Sequence, residues 1–198
     1  MSYKDLTILI TTFHSGNKII PCLDSINSAV RVLIIENSNN KKFKDKIEKK
    51  YSNCKCILAG ENLGYAKGNN FGLSKIETKY VLILNPDAIL DKKCIDNFLE
   101  CVQNKSNFAI MAPMAQENDS INFKKVDTNF EFKEVDHVKG YAMFLNINEF
   151  KNIGFFDDNF FIYFEEIDLC RRLKNNGKKI YLDPNIKIFH EGGSSHNV

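Results

Sequence analysis

The chain has 198 residues, the size of one ordinary domain. With 43% hydrophobic and 26% charged residues, four prolines and ten glycines, it is neither disordered, nor collagen-like, nor a small disulfide scaffold. Its 27 Lys and Arg against 25 Asp and Glu leave a net charge of +2, too even for a protein that grips nucleic acid by a basic face.

No apolar run approaches the ~20 residues of a membrane span; Leu6–Ile10 and Tyr80–Leu84 are strand-sized. The N-terminus leads directly into the first expected strand and leaves no room for a signal peptide, so a cytoplasmic chain is expected. None of the six cysteines forms a C-x-x-C pair. Without an export signal, they read as buried thiols rather than disulfides or zinc ligands.

In chain order, residues 5–12 form an apolar run ending in threonines, suited to a strand buried on both faces. Ile19, Ile20, Leu23 and Ile26 mark a helix within 17–29, with Pro21 in its first turn. Strands follow at Val32–Glu36, Lys55–Ala59 and Tyr80–Leu84, alternating with helices at Phe43–Tyr51 and Ala66–Ile76. Asp91 is placed to cap a helix reaching Asn104. This rhythm predicts a parallel sheet joined by crossover helices. The second half predicts strands at Phe108–Pro113 and Val138–Leu145, and a hairpin or long excursion over 116–134. A short helix near Asn148–Ile153, a helix over Glu165–Asn176 and a last strand over Lys179–Phe189 complete it. The expected architecture is one α/β domain, Rossmann-like, with a mixed, mainly parallel sheet flanked by helices.

In open α/β sheets ligands bind beyond the carboxyl ends of the strands. Four consecutive strand ends here are polar: Thr11-Thr12-Phe13-His14-Ser15, Glu36-Asn37-Ser38-Asn39, Gly60-Glu61-Asn62-Leu63-Gly64 and Asn85-Pro86-Asp87. Each alone is ordinary loop chemistry; together they make a case for one shared cleft. Asp87, directly after an apolar strand, suits either a divalent cation or the cap of a turn. A second constellation runs from Phe155 to Asp168, where a strongly aromatic loop leads Glu165, Glu166 and Asp168 into a helix. Such a loop must pack, and partial desolvation of its carboxylates would suit a general base; the helix dipole and an Asp168–Arg172 pair offer a structural role instead. A third is His190, at a strand end before Gly192-Gly193, consistent with a metal or phosphate contact.

These motifs resemble glycosyltransferase family 2, the inverting GT-A enzymes, and especially its rhamnosyltransferase-like members. Asn62-Leu-Gly-Tyr-Ala-Lys-Gly-Asn-Asn-Phe-Gly72 is similar to the family's N-x-G-x-a-x-G-x-N-x-G segment, and Leu84-Asn-Pro-Asp87 to the L-N-P-D form of its metal motif. Phe155 to Leu173 is similar to the F-D-x-x-F-F-x-Y-x-E-D-x-D-L-x-x-R block. Gly177 and Pro184 through His190 continue that block in register, and four motifs in order are far more specific than any one of them.

The resemblance implies a GT-A domain with a nucleotide-sugar-binding half (1–104) and an acceptor and catalytic half (105–198). It implies Thr11, Thr12, Phe13 and Glu36 at the base and ribose, Glu36 standing for the usual aspartate. Asn62, Gly64 and Lys67 would lie along the nucleotide, Asn85 and Asp87 at the diphosphate, and Asp136 and Gly140 beside the donor sugar. Asp87 and His190 would hold Mg2+ or Mn2+. Glu166, with Glu165 and Asp168 beside it, would supply the catalytic carboxylate. The implied partners are a UDP- or dTDP-sugar and a saccharide or lipid-linked acceptor in polysaccharide biosynthesis, with room for peripheral association at the inner face of a membrane.

The chain departs from the family at Glu166, where aspartate is usual; one extra methylene displaces the carboxylate by ~1.5 Å, enough to matter for catalysis. A catalytically weak or silent sugar-nucleotide-binding domain is therefore the rival reading. A nucleotidyltransferase would open with a Gly-rich phosphate loop carrying Arg and Lys, which Thr11–Gly16 is not. A Rossmann dehydrogenase lacks its G-x-G-x-x-G after the first strand.

Overall fold

The computed structural model describes residues 2–104, 107–114 and 132–190. Strand β1 (Leu6–Thr12) is central, flanked by β2 (Arg31–Glu36) and β4 (Tyr80–Leu84), with β3 (Cys54–Leu58) outside β2. All four are parallel, in register from Ile8 to Leu82 and from Thr12 to Glu36. The sheet continues antiparallel from β4 to β8 (Ala142–Asn146), then β6 (Ile110–Pro113), β9 (Ile180–Asp183) and the two-residue β7 (Lys133–Glu134). A separate two-stranded ribbon pairs β5 (Ala88–Leu90) with β10 (Ile188–His190), His190 opposite Ala88.

Side chains alternate across each strand, which sorts the core into two layers. Ile8, Ile10, Val32, Ile34, Leu82 and Leu84 pack with helices α1 (Ile19–Asp24), α2 (Lys41–Lys50) and α4 (Cys94–Asn104). Leu9, Leu33, Ile35, Val81 and Ile83 face α3 (Gly64–Leu73) and α5 (Glu165–Asn175) on the other side. Helix α3 lies unusually close to β1: a Cβ at Gly72 would stand 2.3 Å from Leu9 Cδ1, and one at Gly68 would stand 2.7 Å from Thr11 Cγ2. The fold class is the one expected from the sequence.

Three details differ. The expected strand over Lys179–Phe189 is two strands in two sheets, because Asp183 turns the chain: its carboxylate accepts the Asn185 amide at 2.8 Å and its carbonyl the Ile186 amide. The ribbon strand β5 was not anticipated, since three residues carry no periodicity and its partner is remote. The helix near Asn148 is a 3-10 turn over Ile147–Phe150. Most of the expected excursion over 116–134 lies outside the described residues. The buried-thiol reading holds for five of the six cysteines, Cys54 being only half-buried.

Candidate active site

A cleft of about 450 Å³ opens at the carboxyl edge of β1, β2 and β4. A second cavity, about 390 Å³, lies at the opposite edge beside Thr7, Arg31 and Thr78, where these strands begin. The carboxyl edge is where loops after parallel strands converge. Of the residues implied by the resemblance, Thr11, Thr12, Phe13, Asn62, Gly64, Asn85 and Asp87 line the cleft.

The floor is built by β4 and the ribbon. After β4 the Asn85 amide donates to the Tyr141 carbonyl at 2.8 Å, and the Ala88 amide closes a turn on the Asn85 carbonyl. The turn presents Asp87, and antiparallel β5–β10 pairing returns His190 to it, with Nε2 3.2 Å from Asp87 Oδ1 and 3.3 Å from Asn85 Nδ2. Tyr141, not foreseen as a site residue, stacks on the imidazole at 4.6 Å and 11° and fixes its plane. Both Asp87 and His190 are half-buried. One carboxylate and one imidazole at a cleft floor fit a hard divalent cation that takes its remaining oxygens from substrate phosphates and water. Among the described residues no cluster of three or more His, Cys, Asp or Glu could hold a metal by itself.

Strand alternation sends Glu36 and Asn37 to different places. Glu36 is buried, and its carboxylate accepts the Ser38 amide at 3.1 Å, the Ser38 hydroxyl, and the Asn40 amide at 2.6 Å. It thereby shapes the loop leading into α2 and does not line the cleft. Asn37 does line it, although the sequence analysis gave it no role. Its Nδ2 donates to the Gly64 carbonyl at 2.9 Å, while its buried Oδ1 has no partner among the described residues. An unpartnered buried acceptor in a cleft wall is an opening for a ligand N–H or O–H.

The aromatic loop forms the opposite lip through Phe161 and Ile162. Asn70 anchors it, accepting the Phe156 amide at 3.1 Å and donating to the Phe156 carbonyl and the Asp158 carboxylate. Arg172 anchors its start, donating to the Ile153 and Phe155 carbonyls while held by Asp168 at 2.7 Å. Asp168 is thus part of the scaffold under the loop.

Glu166 is half-buried and leans on Gly140: a Cβ there would lie 3.6–3.8 Å from its Cβ, Cγ and Cδ. Tyr65, which lines the cleft, donates its hydroxyl to the Gly140 carbonyl at 2.6 Å. Glu166 therefore stands one side chain behind the cleft wall. Glu165 is only 5% exposed, and its Oε2 has no partner among the described residues. Burial raises its pKa above the usual carboxylate range, with the neighbouring Glu166 charge adding to the shift. Lys67 is exposed on α3, and Asp136 is exposed and 3.5 Å from Lys174; neither lines the cleft.

The chain is 26% identical to the low-salt glycan biosynthesis hexosyltransferase Agl10 of Haloferax volcanii, over 89% of its own length and 64% of that protein. It is 25% identical to the dTDP-rhamnosyl transferase RfbF of Shigella flexneri, over 96% of its length and 65% of the relative. The chain thus spans about two-thirds of either relative. Among solved structures, GalNAc-T7 with UDP, GalNAc and Mn2+ superposes with a TM-score of 0.78 at 12% identity, covering 93% of this chain and 43% of that one. Residues 7–172 match the model of Glycosyl transferase family 2, and the chain belongs to that family.

Proposed function

We propose that this domain transfers a hexose, with inversion, from a UDP- or dTDP-sugar to a hydroxyl of a saccharide or lipid-linked acceptor in polysaccharide biosynthesis. The observation that carries the reading is one cleft joining an Asp87–His190 pair on its floor to an unpartnered buried acceptor, Asn37 Oδ1, in its wall. Asn37 Oδ1 would take the imide N–H of a pyrimidine, and Phe13, 41% exposed at the lip, offers a face for the base. Asp87 and His190 would hold Mg2+ or Mn2+, which neutralises charge on a leaving diphosphate.

In the transfer itself, the acceptor oxygen bonds to the anomeric carbon as the bond from that carbon to the phosphate oxygen breaks. The electron pair leaves with the diphosphate, and the acceptor proton passes to a carboxylate. A single displacement of this kind inverts the anomeric centre, and it meets the same oxocarbenium-like demand that glycosidases answer with carboxylates. Glu166 is the proposed base, reaching the cleft past Tyr65 and Gly140.

The test is release of nucleoside diphosphate from a panel of UDP-, dTDP- and GDP-sugars, with and without saccharide and lipid-linked acceptors. Acceptor-dependent release from a pyrimidine donor supports the reading. Donor binding without release under every acceptor would leave only a binding module.

A further inference from the structure

Tyr141 sits where the floor of the cleft meets its carboxylate wall, and its backbone is clamped on both sides. Its own carbonyl accepts the Asn85 amide at 2.8 Å, and the next residue, Ala142, pairs with Leu84 in the β4–β8 ladder. The residue before it, Gly140, accepts the Tyr65 hydroxyl at 2.6 Å through its carbonyl and faces Glu166. The tyrosine is only 8% exposed. Its ring is a fixed surface.

His190 is held less firmly. It ends β10, which pairs with β5 in a ribbon of two three-residue strands, and such a ribbon is marginal by itself. Both polar contacts of the imidazole, Asp87 Oδ1 at 3.2 Å and Asn85 Nδ2 at 3.3 Å, fall on the one atom Nε2. Contacts to a single atom fix where that nitrogen lies but not the plane of the ring, and an imidazole turns broadly about its last torsion. The lone pair that would ligate a cation lies in that plane, so the plane decides whether Nε2 and Asp87 converge on one point. Groups that orient a ligating imidazole matter to affinity nearly as much as the ligand itself. Among the described residues the Tyr141 ring is the one that stacks on it, at 4.6 Å and 11°.

We propose that Tyr141 is a positioning residue for cation binding: its ring sets the plane of His190, and the cation-linked affinity for a nucleoside diphosphate depends on it. Tyr141 does not line the cleft, so it acts through His190 and not on the nucleotide. The proposal rests on the reading that Asp87 and His190 hold a divalent cation. What the site requires is the flat ring; an aliphatic side chain of similar bulk would fill the core beside it and leave the imidazole free to turn.

The experiment is titration of the full chain with uridine diphosphate, in Mn2+ and in chelator, for Tyr141→Phe and Tyr141→Leu beside the unmodified protein. Tyr141→Phe keeps the ring and should keep the gain in affinity that Mn2+ brings. Tyr141→Leu should lower that gain by about two- to tenfold, the factor of one stacked ring pair, while affinity in chelator stays as it was. A nuclear magnetic resonance spectrum of the metal-free chain supplies a second readout: the His190 Hε1 proton should lie upfield through the tyrosine ring current and move back in Tyr141→Leu. If Tyr141→Leu no longer binds nucleotide in chelator, Tyr141→Met, unbranched and adaptable, replaces it, and the proton shift of the unmodified chain decides whatever either variant does. Full Mn2+ enhancement in a folded Tyr141→Leu chain, a loss in Tyr141→Phe as large as in Tyr141→Leu, or a His190 Hε1 without an upfield shift would each overturn the proposal. Enhancement that survives Tyr141→Leu counts against this role alone, whereas its absence from the unmodified chain removes the cation reading and this role with it.

Discussion

The Tyr65 amide donates to the Phe161 carbonyl across 2.7 Å, and this bond ties the glycine-rich start of α3 to the aromatic loop. It forms because Gly64, at φ +73°, lets the two backbones meet: a Cβ there would stand 2.4 Å from the same carbonyl oxygen. Two of the motifs that were separate in the sequence are thus one wall of the cleft.

Gly64→Ala should therefore be severe, and Gly60→Ala is its control. Both glycines have positive φ, but a Cβ at Gly60 meets nothing within 4 Å. Gly60→Ala carries only the conformational penalty, about 1 kcal/mol. Gly64→Ala adds a backbone clash and should lose on the order of 2–4 kcal/mol in denaturant unfolding. It should also weaken nucleotide binding, since Gly64 lines the cleft. Equal unfolding midpoints for the two variants would refute the contact argument.

Metal linkage tests the cleft floor. Uridine diphosphate should bind more tightly with Mn2+ or Mg2+ than with chelator in the unmodified chain. Asp87→Asn and His190→Ala should each lose that enhancement while keeping the metal-independent affinity. Titration calorimetry with and without chelator reads this directly. Identical affinity in both conditions for the unmodified chain would remove the cation from the proposal.

Glu36 and Asn37 are neighbours with different predicted phenotypes. Asn37→Ala should cut the preference for uridine over guanosine diphosphate by a factor matching one hydrogen bond, about 0.5–1.5 kcal/mol, and should also lower stability, because the buried bond from its Nδ2 to the Gly64 carbonyl is lost. Glu36→Ala should lower stability alone. It frees three donors of the β2–α2 loop and should lower the unfolding midpoint while the base preference survives. A variant of Glu36 that folds as well as the unmodified chain but loses base preference would return the base contact to Glu36.

These neighbours also mark where the sequence was legible. The apolar runs of β1, β2 and β4 are buried on both faces and carry the sheet unmistakably, and the four polar strand ends locate the cleft. Which of two adjacent residues faces it is another matter, because alternation reverses at every step and the sequence does not say where the strand stops alternating. Resemblance alone favoured Glu36 over Asn37. Asp87 and His190 were both identified, but the means of their meeting, a ribbon of three-residue strands, is too short to read from periodicity. Asp168 and Lys67 sit in recognisable motifs, yet the structure gives one to the Arg172 clamp and leaves the other exposed on α3. A motif constrains residue type without revealing which members touch ligand and which hold the wall.

The paired carboxylates give the last prediction. Glu165 is the desolvated one, with a folded-state pKa above its unperturbed 4.5, so between 4.5 and that raised value the folded chain holds more protons than the unfolded one. Its contribution to stability is therefore complete below about pH 4.5 and declines as pH rises through the window. Glu165→Gln removes the buried charge and should stabilise the chain at neutral pH, with the gain vanishing towards the acid end. Denaturant unfolding of both proteins across this range measures it. Glu166→Gln should leave stability and nucleotide affinity nearly unchanged while transfer falls by roughly 10²–10⁴-fold, as expected for loss of a general base. Glu166→Asp, one methylene shorter, should transfer more slowly if the wall at Gly140 is fitted to glutamate. Faster transfer by aspartate would mean that this chain has drifted towards a binding role. If Glu165→Gln abolishes transfer at unchanged nucleotide affinity and Glu166→Gln does not, the raised pKa of Glu165 belongs to the catalytic base, and Glu166 is the residue that positions it.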